Sequence, residues 1–144
     1  GNLVFAVGKE GVGFLLKADA LGKIGGQAFS ARVCNGRAFS GAAYAPPYVY
    51  VPCTTGIAAL KLGGSSFQVA WRGPAVRPGA PIVAGGAVWS VERTGRLTAL
   101  DAASGQARFQ AAIPPSVTSF PSLSAAGNRL YVPAGTRVLA FGPG

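Results

Sequence analysis

The segment GGAVWSVERTGRLTALDAASGQARFQA, residues 85–111, contains three short apolar runs separated by two turns. The runs Ala87–Glu92, Arg96–Asp101 and 106–111 are rich in apolar side chains and are too short for independent helices. Both turns, 93–95 and 102–105, contain a glycine, which adopts positive φ without steric cost. The segment therefore predicts three consecutive strands of an antiparallel meander.

Parts of this segment recur three more times along the chain. The aromatic residues Phe5, Tyr50, Trp89 and Tyr131 stand 45, 39 and 42 residues apart in matching strands. Each matching strand is followed by a glycine-containing turn and a second apolar strand, at 14–19, 57–62, 97–101 and 138–141. Repeats of about 40 residues with four strands per unit are typical of β-propeller blades. We therefore predict one all-β domain over residues 1–144, a β-propeller of four-stranded antiparallel blades with units near 1–33, 34–73, 74–113 and 114–144.

One unit also resembles a known family. Residues 99–109, ALDAASGQARF, are similar to the A-L-D-x-x-T-G-x-x-x-W signature of quinoprotein-like (PQQ-like) β-propeller repeats, with Ser104 in place of Thr and Phe109 in place of Trp. Residues 14–25 and 59–71 are weaker copies, and Trp71 stands at about the position of the signature Trp. The resemblance implies blades around a central axis and does not imply a bound quinone. We expect Trp71 and Phe109 to pack between blades; the alternative for Trp71 is an exposed recognition aromatic.

The repeat register predicts incomplete blades at both ends. Gly1 and Asn2 match the hairpin tip Gly127-Asn128, so the first unit lacks its first strand, and the last unit lacks its fourth. The expected strand counts are three, four, four and three. The chain has no Met and starts with Gly, which we interpret as a processed product or a fragment. Because open strand edges invite aggregation, we expect a second copy of the chain or the remainder of a larger propeller to fill them.

The two cysteines, Cys34 and Cys53, flank the predicted hairpin of the second unit, whose tip is Pro46-Pro47. Folding the chain back at this tip places Cys53 opposite about Ser40, with Cys34 a short loop away. The alternatives are a disulfide, which requires Cα atoms within about 7 Å, and two buried free thiols. We favour the disulfide and therefore a secreted or cell-surface location. Two cysteines without His do not predict a zinc site.

The formal charge of +9 comes from 13 basic and four acidic residues. The basic residues are scattered rather than clustered, so we do not expect a nucleic-acid partner. No apolar run reaches the roughly 18 residues that a transmembrane helix needs, so no transmembrane segment is predicted.

The chain contains no His, the commonest general base and metal ligand, and no catalytic, metal-binding or cofactor-binding residue is predicted. The four acidic residues are Glu10, Asp19, Glu92 and Asp101. Asp19 and Asp101 align at the ends of the second strands, where we expect structural turns in which the carboxylate accepts backbone N–H bonds. Ion binding is the alternative for this pair. Glu10 and Glu92 lie in or just before corresponding hairpin turns.

Two functions of different classes remain open. The first is a non-catalytic propeller module that binds a protein or glycan ligand, or assembles with itself through open blade edges. The second, drawn from the resemblance, is a fragment of a quinoprotein (PQQ-dependent) dehydrogenase, whose quinone and calcium would lie at the propeller axis. Calcium requires several oxygen ligands, including carboxylates, and four scattered acids supply these poorly. We therefore predict a module that is not an enzyme and needs no cofactor.

Overall fold

The computed structural model describes residues 2–113 and 121–142, which form fourteen β-strands and no helix. These strands make four antiparallel sheets of three, four, four and three strands. The sheets stack in chain order as an arc of β-propeller blades that does not close into a ring. The predicted all-β propeller fold is confirmed, and within the described residues the first and last sheets have three strands each.

The strands are numbered in chain order, and consecutive strands of a sheet are hydrogen-bonded neighbours. Sheet 1 contains β1 (Leu3–Val7), β2 (Val12–Lys17) and β3 (Phe29–Arg32). Sheet 2 contains β4 (Ala43–Ala45), β5 (Tyr48–Cys53), β6 (Gly56–Gly63) and β7 (Ser66–Gly73). Sheet 3 contains β8 (Ile82–Ala84), β9 (Ala87–Glu92), β10 (Arg96–Asp101) and β11 (Ala107–Ala112). Sheet 4 contains β12 (Ser124–Ala126), β13 (Arg129–Ala134) and β14 (Arg137–Phe141).

The strands of the segment 85–111 have the predicted bounds for β9 and β10, and β11 starts one residue later than predicted. Before the Pro46-Pro47 tip of the predicted hairpin, only Ala43–Ala45 forms a strand. Cys53 makes an isolated bridge to Ala38, two residues from the predicted Ser40. Ser40 and Gly41 interrupt the ladder, as expected where glycine weakens a strand. Gly1, in the predicted hairpin tip, and residues 114–120, at the start of the predicted fourth unit, lie outside the described residues.

The four repeated aromatic residues share one register position. The paired positions on the following strand are Phe5 with Leu15, Tyr50 with Ala59, Trp89 with Ala99, and Tyr131 with Ala140. Because side chains alternate between the two faces of a strand, this shared register gives every sheet an aromatic-bearing face and an opposite face. The sequence repeat is therefore a structural repeat.

Three apolar clusters join neighbouring sheets, and both faces of sheets 2 and 3 are buried in them. The cluster between sheets 1 and 2 includes Leu15, Val49, Val51, Leu60 and Phe67. The cluster between sheets 2 and 3 includes Tyr50, Ile57, Val88 and Leu100. The cluster between sheets 3 and 4 includes Val91, Leu97, Val132 and Ala134. In each cluster the aromatic-bearing face of one sheet packs against the opposite face of the next. The core of this fold therefore lies between the sheets.

A disulfide joins Cys34, in the segment that leaves sheet 1, to Cys53 at the end of β5 in sheet 2. The two Cα atoms are 5.4 Å apart. The predicted bridge is confirmed, and the alternative of two free thiols is wrong. Both residues belong to the cluster between sheets 1 and 2, so the bridge fastens that interface covalently.

Reduction of this disulfide is expected to lower the free energy of unfolding by about 3 kcal/mol, because the closed loop restricts the unfolded chain. Urea denaturation with and without reductant measures the change. The double variant Cys34→Ala/Cys53→Ala is the control and should not respond to reductant. A wild-type midpoint that stays the same on reduction would contradict the expectation.

Candidate functional site

Glu92 is a fully buried carboxylate at the end of β9, directly opposite Arg96 on β10. Its Oε1 accepts hydrogen bonds from Arg96 Nε at 3.1 Å and Thr98 Oγ1 at 2.6 Å. Its Oε2 accepts from an Arg96 terminal nitrogen at 2.8 Å and from Thr94 Oγ1 at 3.4 Å. Such a bidentate pair is stronger than a neutral hydrogen bond and fixes the two strands relative to each other.

Burial by itself raises the pKa of the Glu92 carboxyl, but hydrogen bonds from Arg96 and Thr98 outweigh it and hold the pKa below its usual value. The group is therefore an ionised structural carboxylate, with both oxygens already occupied. The sequence placed Glu92 before a turn and did not identify this role. The signal that could have shown it is the spacing Glu92, Arg96, Thr98 across a short hairpin, where opposite positions meet.

Asp101 forms the turn between β10 and β11, as its predicted role requires. Its Oδ1 accepts hydrogen bonds from the Ser104 backbone N–H at 2.8 Å, from Ser104 Oγ at 3.0 Å and from the Ala103 N–H at 3.0 Å. The two bonds from Ser104, followed by that from Ala103 and the charge of Arg108, lower the pKa of Asp101. Serine in place of the usual threonine of the signature thus still closes the turn.

Asp19 does not occupy the position of Asp101. In the observed registers Lys17 pairs with Leu3 as Asp101 pairs with Ala87, so the expected alignment was shifted by two residues. Asp19 lies in the exposed turn after β2. A two-residue shift leaves every side chain on the same face, and the alternation of the sequence therefore could not reveal it.

Trp71 packs between sheets 2 and 3. Its Nε1 and the Tyr50 hydroxyl both donate to the carbonyl oxygen of Ala102, at 3.2 and 3.1 Å, and the two rings are 5.7 Å apart. Gly105, at φ +75°, lies so close that an added Cβ would be 2.5 Å from the indole. Trp71 therefore joins β7 to the turn that Asp101 holds in the next sheet.

Phe109 occupies the matching position on β11, opposite Ala99 as Trp71 is opposite Ala59. It is 41% exposed, and its ring lies 5.8 Å from Trp89 of the same sheet. By analogy with Trp71, its partner between blades would be the turn after β14, and residues 143–144 lie outside the described part of the chain. Its role between blades remains a prediction.

The two outer faces of the arc carry apolar side chains that no other sheet of the described residues covers. We call the outer face of sheet 1, with Val4, Ala6, Phe14 and Leu16, the leading face; we call that of sheet 4, with Tyr131, Pro133, Val138 and Ala140, the trailing face. Val4 is 42% and Val138 is 69% exposed. The residue equivalent to Val4 in sheet 2 is Val49, and that equivalent to Tyr131 is Tyr50; both are buried. The two outer faces thus repeat surfaces that are covered inside the arc.

Comparison with known proteins identifies the fold. No protein-family model and no curated protein matches the chain. Among solved structures, the computationally designed Ika4 protein is similar to this chain at 12% identity and a TM-score of 0.75. The match covers all of this chain and 87% of the Ika4 chain. The designed Ika8 protein is similar over 99% of this chain and 43% of its own, at 13% identity and a TM-score of 0.77. BamB from Moraxella catarrhalis is similar over 96% of this chain and 41% of its own, at 17% identity and a TM-score of 0.65.

This chain therefore spans less than half the length of the Ika8 and BamB chains that it matches. At such identities the likeness concerns the fold, which is that of β-propeller proteins. Within the described residues, no helix is long and apolar enough to cross a membrane.

The substitution Glu92→Gln should lower the free energy of unfolding at pH 7 by about 2 kcal/mol, because charge-assisted hydrogen bonds in the interior are lost. It should also change the pH dependence. The pKa of Glu92 is lowered by folding, so the unfolded chain takes up the proton first as the pH falls. The contribution of the ionised Glu92 carboxylate to the free energy of unfolding is complete above the pH range in which an ordinary carboxyl titrates. It decreases as the pH falls through the lower pKa of the folded state. Glu92→Gln should remove this pH-dependent contribution.

Chemical denaturation between pH 7 and pH 3 measures both effects. The matched control is Glu10→Gln, at an exposed carboxylate in the β1–β2 turn, which should change stability by less than about 0.5 kcal/mol. Identical acid dependence of the two variants would show that Glu92 does not contribute as the contacts imply.

Proposed function

We propose that this chain is a non-catalytic β-propeller module of the PQQ-like type that assembles with a second copy of itself through its leading and trailing faces. The observation that carries the proposal is the register equivalence of these exposed faces with the buried interfaces of the arc. Between sheets 2 and 3, Tyr50 and Ala59 pack against Val88 and Leu100. Tyr131 and Ala140 of one copy, against Val4 and Leu16 of another, would repeat that contact at equivalent positions.

The number of copies follows from the number of sheets. Propellers typically contain four to eight blades. Two copies of four sheets give eight and could close a ring with two identical junctions, each between the trailing face of one copy and the leading face of the other. The exposed apolar side chains at both faces favour such closure, since contiguous apolar patches on a protein surface usually mark interaction sites. The remainder of a larger propeller is the competing occupant.

The disulfide supports a secreted or cell-surface location, because such bonds persist in oxidising compartments. A protein or glycan ligand on the propeller surface remains compatible with assembly. The alternative of a quinoprotein dehydrogenase fragment lacks an observation in its favour. Glu92 and Asp101 use their oxygens for Arg96 and for the turn, and no three His, Cys, Asp or Glu side chains converge within the described residues.

The mass of the chain in solution, measured by size-exclusion chromatography with light scattering, is expected to be twice 14.4 kDa. Val4→Glu on the leading face and Val138→Glu on the trailing face should each yield monomers, because an unpaired charge cannot be buried in an apolar junction without a large cost. Mixing the two variants should restore one junction, between the intact trailing face of Val4→Glu and the intact leading face of Val138→Glu.

The control is Ile24→Glu, the same type of change at a fully exposed loop residue away from both faces, and it should keep the wild-type mass. Thermal denaturation of each variant shows that its fold is intact. A wild-type chain of 14.4 kDa at all accessible concentrations would overturn self-assembly and leave another polypeptide as the occupant of the faces.

A further inference from the structure

A cleft of about 470 Å³ lies where the β5–β6 and β9–β10 turns meet the segments that lead into β4 and β8. Arg37, Arg77 and Arg93 line it, from three separate parts of the chain. Its remaining lining includes Phe39, Pro52, Thr54 and Pro78. Residues far apart in sequence thus form one basic site, which the scattered basic residues of the sequence did not predict.

Backbone hydrogen bonds hold the walls of this cleft in place. The Thr54 N–H donates to the Arg37 carbonyl at 2.8 Å, and the Arg93 N–H donates to the Arg77 carbonyl at 3.2 Å. The Arg77 N–H in turn donates to the Thr54 carbonyl at 3.3 Å. Arg77 itself has a φ of 46°, and among the described residues it is the one non-glycine residue with positive φ. Such conformations persist only where the surroundings enforce them, and they concentrate at functional sites.

Among the described residues, no carboxylate lines the cleft. The nearest in sequence is Glu92, beside Arg93, but it is buried and its oxygens are occupied by Arg96, Thr98 and Thr94. The ion pairs of the described chain are Arg96 with Glu92 and Arg108 with Asp101, neither of which involves a cleft arginine. The Lys9 Nζ lies 5.4 Å from the centre of the ring of Phe39, which lines the cleft. The positive charge of the cleft is therefore uncompensated from within the described residues.

We infer that this cleft binds a small organic anion with at least two carboxylate or phosphate groups. Guanidinium groups bind both kinds of oxyanion in bidentate fashion, and the apolar side chains Phe39, Pro52 and Pro78 offer contact for a carbon skeleton. The volume falls in the usual range of small-molecule sites, about 300–1,000 Å³. The inference is independent of self-assembly, because neither the leading face nor the trailing face contributes to the cleft.

Isothermal titration calorimetry with citrate and with pyrophosphate tests the inference, and the two probes distinguish a polycarboxylate from a phosphate ligand. Arg77→Gln and Arg93→Gln should each weaken binding of the preferred probe about tenfold or more, since each removes one charge-assisted contact. Arg93 lies in an exposed turn, so its variant tests the site even if Arg77→Gln alters the backbone around it.

The charge-matched control is Lys23→Gln, in the exposed loop between β2 and β3 at the opposite end of the sheets, and it should bind like the wild type. Equal weakening in Lys23→Gln and the arginine variants would mean general attraction by net charge and would overturn the site. The absence of saturable binding of both probes to the wild type would overturn it as well.

Discussion

The stacking of one sheet on the next is the constraint on which the rest of this structure depends. Each sheet has only three or four strands and presents apolar side chains on both faces, so it buries enough surface only with a neighbour on each side. At roughly 25 cal/mol per Å² of apolar area, those interfaces are the main stabilising contribution. Sheets 2 and 3 meet this requirement, whereas sheets 1 and 4 meet it on one face. The same constraint that builds the arc therefore leaves its two outer faces uncovered within the described residues, which is the basis of the proposed assembly.

Polar contacts determine how the stacked sheets are aligned. Glu92 and Arg96 fix the β9–β10 hairpin through buried charge-assisted bonds, and Asp101 fixes the turn that follows. That turn presents the Ala102 carbonyl to Trp71 and Tyr50 of the preceding sheet. The turn carboxylate of Asp101 thus acts on an interface between blades through the Ala102 carbonyl, whereas the Glu92 carboxylate fixes the hairpin of its own sheet. The chain has four acidic residues, and two of them have these structural roles.

The sequence was sufficient for the fold because the repeated unit is short and its aromatic residues recur in register. Phe5, Tyr50, Trp89 and Tyr131 revealed the blades, and the hairpin at Pro46-Pro47 brought the cysteines together. Contacts that depend on the exact strand register could not be predicted from the sequence, because a shift of two residues keeps the same alternation. The shift of Asp19 relative to Asp101 shows this. The cleft was not predictable from local pattern, because Arg37, Arg77 and Arg93 meet only through the stacking of the sheets. Interfaces and clusters formed between repeats require the relative placement of the repeats, which periodicity alone does not provide.

The net positive charge of the chain affects both proposed activities, assembly and anion binding, but in opposite directions. With +9 on 144 residues, two copies of the chain repel each other, so salt that screens this repulsion favours burial of the leading and trailing faces. The same screening weakens an anion held by exposed guanidinium groups in the cleft. Higher ionic strength should therefore strengthen assembly and weaken anion binding. A non-specific attraction of anions to the basic surface would also weaken with salt, but substitution of Arg77 and of Lys23 would then reduce it equally. The structure thus assigns the apolar faces and the basic cleft to different physical forces.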